Sequence, residues 1–230
     1  MTMKNFTDIT ILLDRSGSMA TIKNDMEGAL KTFIAEQQAL DDEHEYKTTL
    51  TFIEFDHEYK VVARGEKLKN FELPEFKPRG MTALLDAAGR AINDTGRRLR
   101  DIPEYKRPSK VLFVIITDGM ENASKEYNRR QVADMISLQQ DIYKWNFVFL
   151  GANIDSFSVA SSLGIKSGST MSFAFNPIGV ASSTASLSMY TSALKSGANN
   201  VAFTDEDYKI QNTAGSAVVN PTTSSGVVTI

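Results

Sequence analysis

The sequence contains no cysteine, which excludes disulfide staples, thiolate metal centres, iron–sulfur clusters and a cysteine nucleophile, and fits a reducing compartment. Two histidines and one tryptophan leave little material for imidazole chemistry. Long hydrophobic runs are missing as well. The strongest, Val111–Ile116, stops at Thr117 and Asp118, far short of the roughly 20 apolar residues a membrane-spanning helix needs. The stretch Met1–Thr10 carries one lysine and neither a long apolar region nor a small-residue cleavage pattern, so no signal peptide and a cytoplasmic location are expected. Charge of one sign is lacking too: 25 basic residues face 28 acidic ones, a net charge of −3. No broad field favours nucleic acid or an anionic membrane as a partner. Binding must come from a local site.

What is present is ordinary globular material, 42% hydrophobic and 23% charged over 230 residues, enough to bury one self-sufficient core. Phe6–Leu13 reads as a strand closed by Asp14, and Met19–Leu40 carries Ile22, Met26, Leu30, Phe33 and Ile34 at helical spacing. Tyr46–Phe55 and Glu58–Leu68 flank the polar pair Asp56 and His57, which predicts a hairpin with one antiparallel edge strand. A helix is expected over Met81–Leu99, just beyond Pro78 and Gly80. Val111–Ile116 and Trp145–Leu150 are apolar without alternation, the pattern of parallel strands covered on both faces. Helices over Tyr127–Lys144, Asp155–Leu163 and about Gly179–Lys195, and a last strand at Met171–Phe175, complete the alternation. The predicted fold class is therefore α/β, a doubly wound and mostly parallel sheet with one antiparallel edge strand and helices on both faces. The domain is expected over 1–198. A polar C-terminal tail is expected over 199–230, mobile or partner-dependent, because no charged side chain follows Lys209.

In such a sheet ligands bind outside the carboxyl ends of the strands, and three of the corresponding loops carry oxygen donors. They are Asp14-Arg15-Ser16-Gly17-Ser18, Arg79-Gly80-Met81-Thr82 and Thr117-Asp118-Gly119. Two carboxylates with hydroxyls and no nitrogen or sulfur ligand suit a hard cation, magnesium first, with manganese or calcium as alternatives. Ser16 and Ser18 alternate in a tight loop that Gly17 permits, so both hydroxyls can face the same way beside Asp14. If Asp14, Ser16, Ser18, Thr82 and Asp118 converge, six-fold coordination lacks one protein ligand, and that position is open to an oxygen from elsewhere.

These residues carry a resemblance. Asp14-Arg15-Ser16-Gly17-Ser18, a threonine in the setting Gly80 to Leu84, and Thr117-Asp118-Gly119 after a hydrophobic strand resemble the von Willebrand factor A-type (vWA) domain. All three parts of its metal-ion-dependent adhesion site (MIDAS) are matched. The resemblance spans Phe6 to about Lys195. The wording Met120-Glu121-Asn122-Ala123 and Phe149-Leu150-Gly151-Ala152-Asn153 is similar to a bacterial and phage subgroup of unassigned cellular role, which would make a virion-associated location the alternative. The resemblance implies that Ser16, Ser18 and Thr82 offer hydroxyls, that Asp14 and Asp118 contact the metal directly or through water, and that the sixth position takes a partner's carboxylate.

Other features have plainer readings. Asp86 and Glu121 lie near the site and read as helix-capping or solvated groups. His44 and His57 stand in charged or turn contexts and read as surface residues. Arg97, Arg98, Arg100, Lys106, Arg107 and Lys110 form a basic cluster at the opposite end from the metal loops, expected as a solvated face. Trp145 reads as a packing residue. The charge-free stretch between Ser167 and Ala193 predicts a helix with a Ser and Thr outer face that would suit a second copy of the chain. The reading adopted is a non-enzymatic, metal-dependent module that captures an acidic side chain of a protein partner. Its alternatives are a component of a phage or bacterial assembly that uses the C-terminal tail, and, less favoured, a magnesium-dependent phosphohydrolase. The last is disfavoured because Ser16 stands where a second acid, two residues after Asp14, would serve as general acid.

Overall fold

Among the described residues the β-branched and aromatic runs form six strands: β1 (Met3–Asp14), β2 (Lys47–Phe55), β3 (Tyr59–Lys67), β4 (Pro108–Thr117), β5 (Asn146–Gly151) and β6 (Thr170–Ser172). The computed structural model describes residues 2–198 and 200–216. The strands make one sheet in the order β3-β2-β1-β4-β5-β6, parallel throughout except for β3, which runs antiparallel to β2 at one edge. The predicted fold class is the observed one. β3 carries the exposed charges Lys60, Arg64, Glu66 and Lys67, which protect this open edge from pairing with another chain.

Among the described residues six α-helices cover the sheet: α1 (Lys23–His44), α2 (Leu84–Arg100), α3 (Arg129–Asp141), α4 (Ser156–Ser162), α5 (Pro177–Ser196) and α6 (Asp205–Ser216). The alternation of side chains along each strand divides the apolar residues between two layers. Leu112, Val114 and Ile116 of β4 join Leu30, Phe33 and Leu187 in the layer that contains α1 and α5. Phe113 and Ile115 of the same strand join Leu84, Ile92, Val132 and Ile136 in the layer that contains α2 and α3. Each such fully buried side chain contributes on the order of 1.5–3 kcal/mol. Burial on both faces explains why the central strands read as unbroken apolar runs.

Element boundaries move where the chain serves the loops at the strand ends. The helix expected from Met19 opens instead as a 3-10 turn over Gly17–Ile22, with the Met19 amide donating to the Ser16 carbonyl (3.1 Å), and becomes α-helical at Lys23. The helix expected from Met81 starts at Leu84. α3 begins after Asn128, which forms a reciprocal capping box with Gln131. β6 ends at Ser172; the Phe173 amide still donates to the Gly151 carbonyl (2.8 Å), and the Ala174 amide donates to the Gln211 side chain (3.1 Å).

The expected boundary after residue 198 is corrected. The chain folds back through Val201–Thr204 into α6, which packs along α5, and Phe203 and Ala214 are buried. Asp207 accepts hydrogen bonds from the Thr204 amide (2.7 Å) and from Ser186 of α5 (2.5 Å), while Gln211 donates to Ser182 (2.8 Å). Tyr208 donates its hydroxyl toward the carbonyls of Ser167 and Thr170 (3.1 Å each), so α6 occupies polar groups at the β6 edge. The uncharged face of α5 is also not the free surface expected for a second copy. Ser183, Thr184, Ser186, Ser188 and Thr191 are buried, with α1 on one side and α6 on the other. The tail's remaining apolar clusters, Ala217–Val219 and Val227–Ile230, lie outside the described residues. Among the described residues no helix is long and apolar enough to cross a membrane.

Candidate metal centre

β1 has β2 on one side and β4 on the other, so the chain reverses its direction of winding between β1 and β4, and a crevice opens at their carboxyl ends. Leu13 pairs with Ile116 in the ladder, which sets Asp14 beside Thr117 and Asp118 where the strands finish. Asp14, Ser16, Thr82 and Asp118 are each at most 3% exposed, while Ser18 is exposed.

Local chemistry shapes the first loop. The Ser16 amide donates to Asp14 Oδ1 (2.6 Å), and the Arg15 amide donates to the Phe55 carbonyl (2.7 Å). This turn brings the hydroxyls of Ser16 and Ser18 within 3.1 Å of each other, facing the same way as their spacing predicts. Ser18 in turn donates to Asp118 Oδ1 (2.7 Å) and so bridges the first loop to the third. Thr82 enters from the second loop, and Gly119 locates it. A methyl carbon at Gly119 would lie 2.9 Å from Thr82 Oγ1, 3.7 Å from Asp14 Oδ2 and 3.8 Å from Ser16 Oγ. Three of the five predicted oxygens therefore surround one point, and hydrogen bonds link the other two to them.

Burial governs the electrostatics of the two carboxylates. Burial raises the Asp14 carboxyl from 3.8 to about 6, against the opposing hydrogen bonds from Thr117 and Ser16, and nearby Asp118 raises it further. Burial also raises Asp118, opposed by the hydrogen bond from Ser18. Asp118 Oδ2 is buried and has no hydrogen-bond partner among the described residues. An orphaned carboxylate oxygen normally costs free energy, and a cation beside it would remove that cost. Among the described residues no group of three or more His, Cys, Asp or Glu could hold a metal. The donor set here is two carboxylates and three hydroxyls, and that chemistry fits a hard divalent ion.

Several supporting residues were not marked by the sequence reading. Thr117 donates to Asp14 Oδ2 (2.6 Å) and fixes that carboxylate. Asn122 holds Thr82 reciprocally: the Thr82 amide donates to Asn122 Oδ1 (2.9 Å) and the Asn122 amide donates to the Thr82 carbonyl (3.0 Å). Glu121 has the capping role expected of it, at the first turn of α2, whereas Asp86 caps no helix and holds the loop before α3. Glu121 accepts from the amides of Leu85 (2.9 Å), Ala123 (2.9 Å) and Ser124 (2.7 Å), and Asp86 accepts from those of Lys125, Glu126 and Tyr127. Together they tie the loop after β4 to the start of α2.

A second charged network backs the first loop. Arg15, only 6% exposed, is ion-paired with Glu54, Asp56 and Glu58, and Arg79 joins the last two. His57 lies against Gly80, close to Asp56, with its side chain 45% exposed, while His44 is 47% exposed. Trp145 is buried and stacked near Phe147 (6.2 Å between rings), as expected. The basic cluster lies at the end of α2 and the start of β4, away from Asp118. Half of it is structural and not simply solvated. Arg98 pairs with fully buried Asp8 (2.7 Å), Arg107 donates to the carbonyls of Ile102 and Arg100, and Lys110 donates to those of Leu194 and Lys195 at the end of α5.

No family model matches the chain, and no curated protein matches its sequence. Solved structures do. The chain is similar to proximal thread matrix protein 1 from the mussel byssus, solved with a zinc-occupied MIDAS motif, at a TM-score of 0.57 and 14% identity, covering 82% of this chain and 46% of that one. It is similar to a von Willebrand factor type A structure from Catenulispora acidiphila at a TM-score of 0.51 and 16% identity, covering 81% and 43%. The vWF domain of the type V pili tip protein Mfa5 from Porphyromonas gingivalis gives a TM-score of 0.61 at 8% identity, covering 86% of this chain and 98% of that domain. The chain thus spans less than half the length of the first two structures. At these identities the likeness establishes the fold, which is that of the vWA domain.

Proposed function

We propose that the chain is a divalent-metal-dependent protein-binding module that captures a partner's carboxylate. Asp14, Ser16, Ser18, Thr82 and Asp118 are proposed to hold magnesium, with manganese or calcium as alternatives. The observation that supports this reading is the approach of Thr82, Asp14 and Ser16 oxygens to one point beside Gly119, with Ser18 and Asp118 linked to them by hydrogen bonds, together with the buried Asp118 Oδ2 that has no partner among the described residues. Three of the five donors are neutral, so the two carboxylates would balance a divalent ion's formal charge while the five donors leave one position of an octahedral ion open to an oxygen of a further acid. The metal would supply Lewis acidity toward that acid. The chain's residues orient it: Thr117 and the Ser16 amide hold Asp14, Ser18 spans to Asp118, and Asn122 sets Thr82. Nothing in this arrangement requires a bond to be broken, and we assign no catalysis to it.

An acidic probe peptide tests the reading. Capture of an aspartate-containing peptide on the immobilised chain should require magnesium or manganese, vanish with a chelator, and be lost in Ser18→Ala and in Asp118→Ala while both variants keep the wild-type circular dichroism spectrum. Retention of metal-dependent capture by either variant would contradict it. A second reading, a structural component of an assembly, draws support from the solved neighbours, which include a byssus matrix protein and pilus proteins. Deletion of 217–230 that leaves metal binding intact and abolishes assembly would favour that reading.

A further inference from the structure

Beside the candidate centre the chain leaves an apolar dimple that the metal reading does not use. A cavity of about 60 Å³ lies between the starts of α2 and α3 and the end of α4, with Leu84, Leu85, Val159 and Leu163 as its apolar lining and Gly119 and Met120 at its side. Leu84 and Leu163 are 1% exposed, so they form a floor. The two charged residues at its edge are already engaged: Glu121 by backbone amides and Arg129 by the Ser162 hydroxyl (2.6 Å). Met120 is 73% exposed and Met81, next to Thr82, is 56% exposed. Two flexible thioether side chains thus stand in solvent on two of the three loops that would hold the metal, and such side chains adapt to varied apolar partners. Gly119 belongs to both places. It lines the dimple, and a methyl carbon on it would lie 2.9 Å from Thr82 Oγ1, so the dimple and the candidate metal oxygens meet at this residue.

We propose that this dimple is an aliphatic subsite of the metal face, so that the captured segment carries a leucine-like side chain one or two residues from its acidic one. The inference rests on the metal-dependent capture proposed above. Adjacent Cα atoms are about 3.8 Å apart, which lets neighbouring side chains of one extended segment serve two sites that share Gly119. The dimple adds the recognition that a bare carboxylate lacks, since every acidic surface residue presents the same oxygens to the ion.

The test uses the full chain in manganese and two acetylated peptides, Gly-Gly-Asp-Gly-Gly and Gly-Leu-Asp-Leu-Gly, read by competition binding, with manganese affinity read separately by calorimetry. Burying most of one leucine side chain should make the second peptide bind about tenfold tighter. Val159→Phe, which fills the dimple, and Val159→Gln, which places an amide against it from half-buried α4 and away from the loops that would hold the metal, should reduce the two peptides to equal affinity with manganese affinity and the circular dichroism spectrum unchanged. Equal binding of both peptides to the wild-type chain with manganese bound overturns the subsite alone. A tenfold preference that survives in both variants overturns it too, because the leucine is then read elsewhere. Absence of manganese binding by the wild-type chain overturns the metal reading and the subsite with it.

Discussion

Asp14 gives the metal-free protein a pH dependence whose sign and size follow from its surroundings. Its carboxyl stands at about 6 in the folded chain, against 3.8 in the absence of burial. The folded state therefore binds this proton more tightly than the unfolded state does. The stabilising contribution is complete below about pH 4, declines as pH rises through about 6, and is gone above about pH 7. Two units at roughly 1.4 kcal/mol each amount to about 3 kcal/mol. Other carboxylates contribute with the opposite sign, Asp86 among them, lowered by three backbone amides, so the comparison must isolate Asp14. Asp14→Asn removes the titration and keeps the shape of the side chain. In urea denaturation with chelator present, the stability of the wild-type chain minus that of Asp14→Asn should fall by about 3 kcal/mol between about pH 4 and pH 7.5. Saturating magnesium at the higher pH should restore the difference, because a cation beside the carboxylate favours its charged form. A difference that stays flat across this range would refute the argument that burial leaves Asp14 uncompensated.

Further outcomes follow from neighbouring contacts. Arg98→Ala leaves fully buried Asp8 with the Thr49 hydroxyl (2.6 Å) as its one remaining side-chain contact among those described. It should cost about 3 kcal/mol in urea denaturation; a loss below about 1 kcal/mol would show that Asp8 finds other compensation. Asn122→Ala removes one half of the reciprocal hold on Thr82 and should weaken magnesium binding by about tenfold with little change in melting temperature, and unchanged calorimetric affinity would contradict a positioning role. Gly119→Ala places its methyl 2.9 Å from Thr82 Oγ1. It should reduce metal affinity by at least about tenfold, and a wild-type affinity would mean that Thr82 lies outside the coordination sphere.

The sheet was legible in the sequence for a physical reason. Parallel strands covered by helices bury both faces, so Val111–Ile116 and Trp145–Leu150 announce themselves as apolar runs without alternation. The candidate ligands were legible because each sits at the end of such a run, in a loop whose serines, threonine and aspartates suit one kind of ion. Helix α6 was not. Its periodicity is weak, and it is held by contacts that no local pattern displays: Phe203 beneath it, Gln211 on the β6 edge and Asp207 on Ser186. One local signal was there, since Thr204 and Asp207 form a capping box, with hydrogen bonds in both directions. Asn122 was equally hidden. A lone asparagine in a polar loop says nothing of the threonine 40 positions away whose amide it accepts from. The basic cluster failed differently, because a string of arginines and lysines does not reveal that Arg98 turns inward to Asp8 while Arg107 and Lys110 satisfy carbonyls.

The central claim is that Asp14, Ser16, Ser18, Thr82 and Asp118 form one divalent-metal site. Calorimetric titration of the metal-free chain with magnesium and with manganese, run beside Asp118→Ala, tests it most directly. The account predicts saturable binding of one ion per chain to the wild type and none to the variant. Equal binding to both, or none to the wild-type chain even with a carboxylate such as glutarate supplied for the open position, would contradict it.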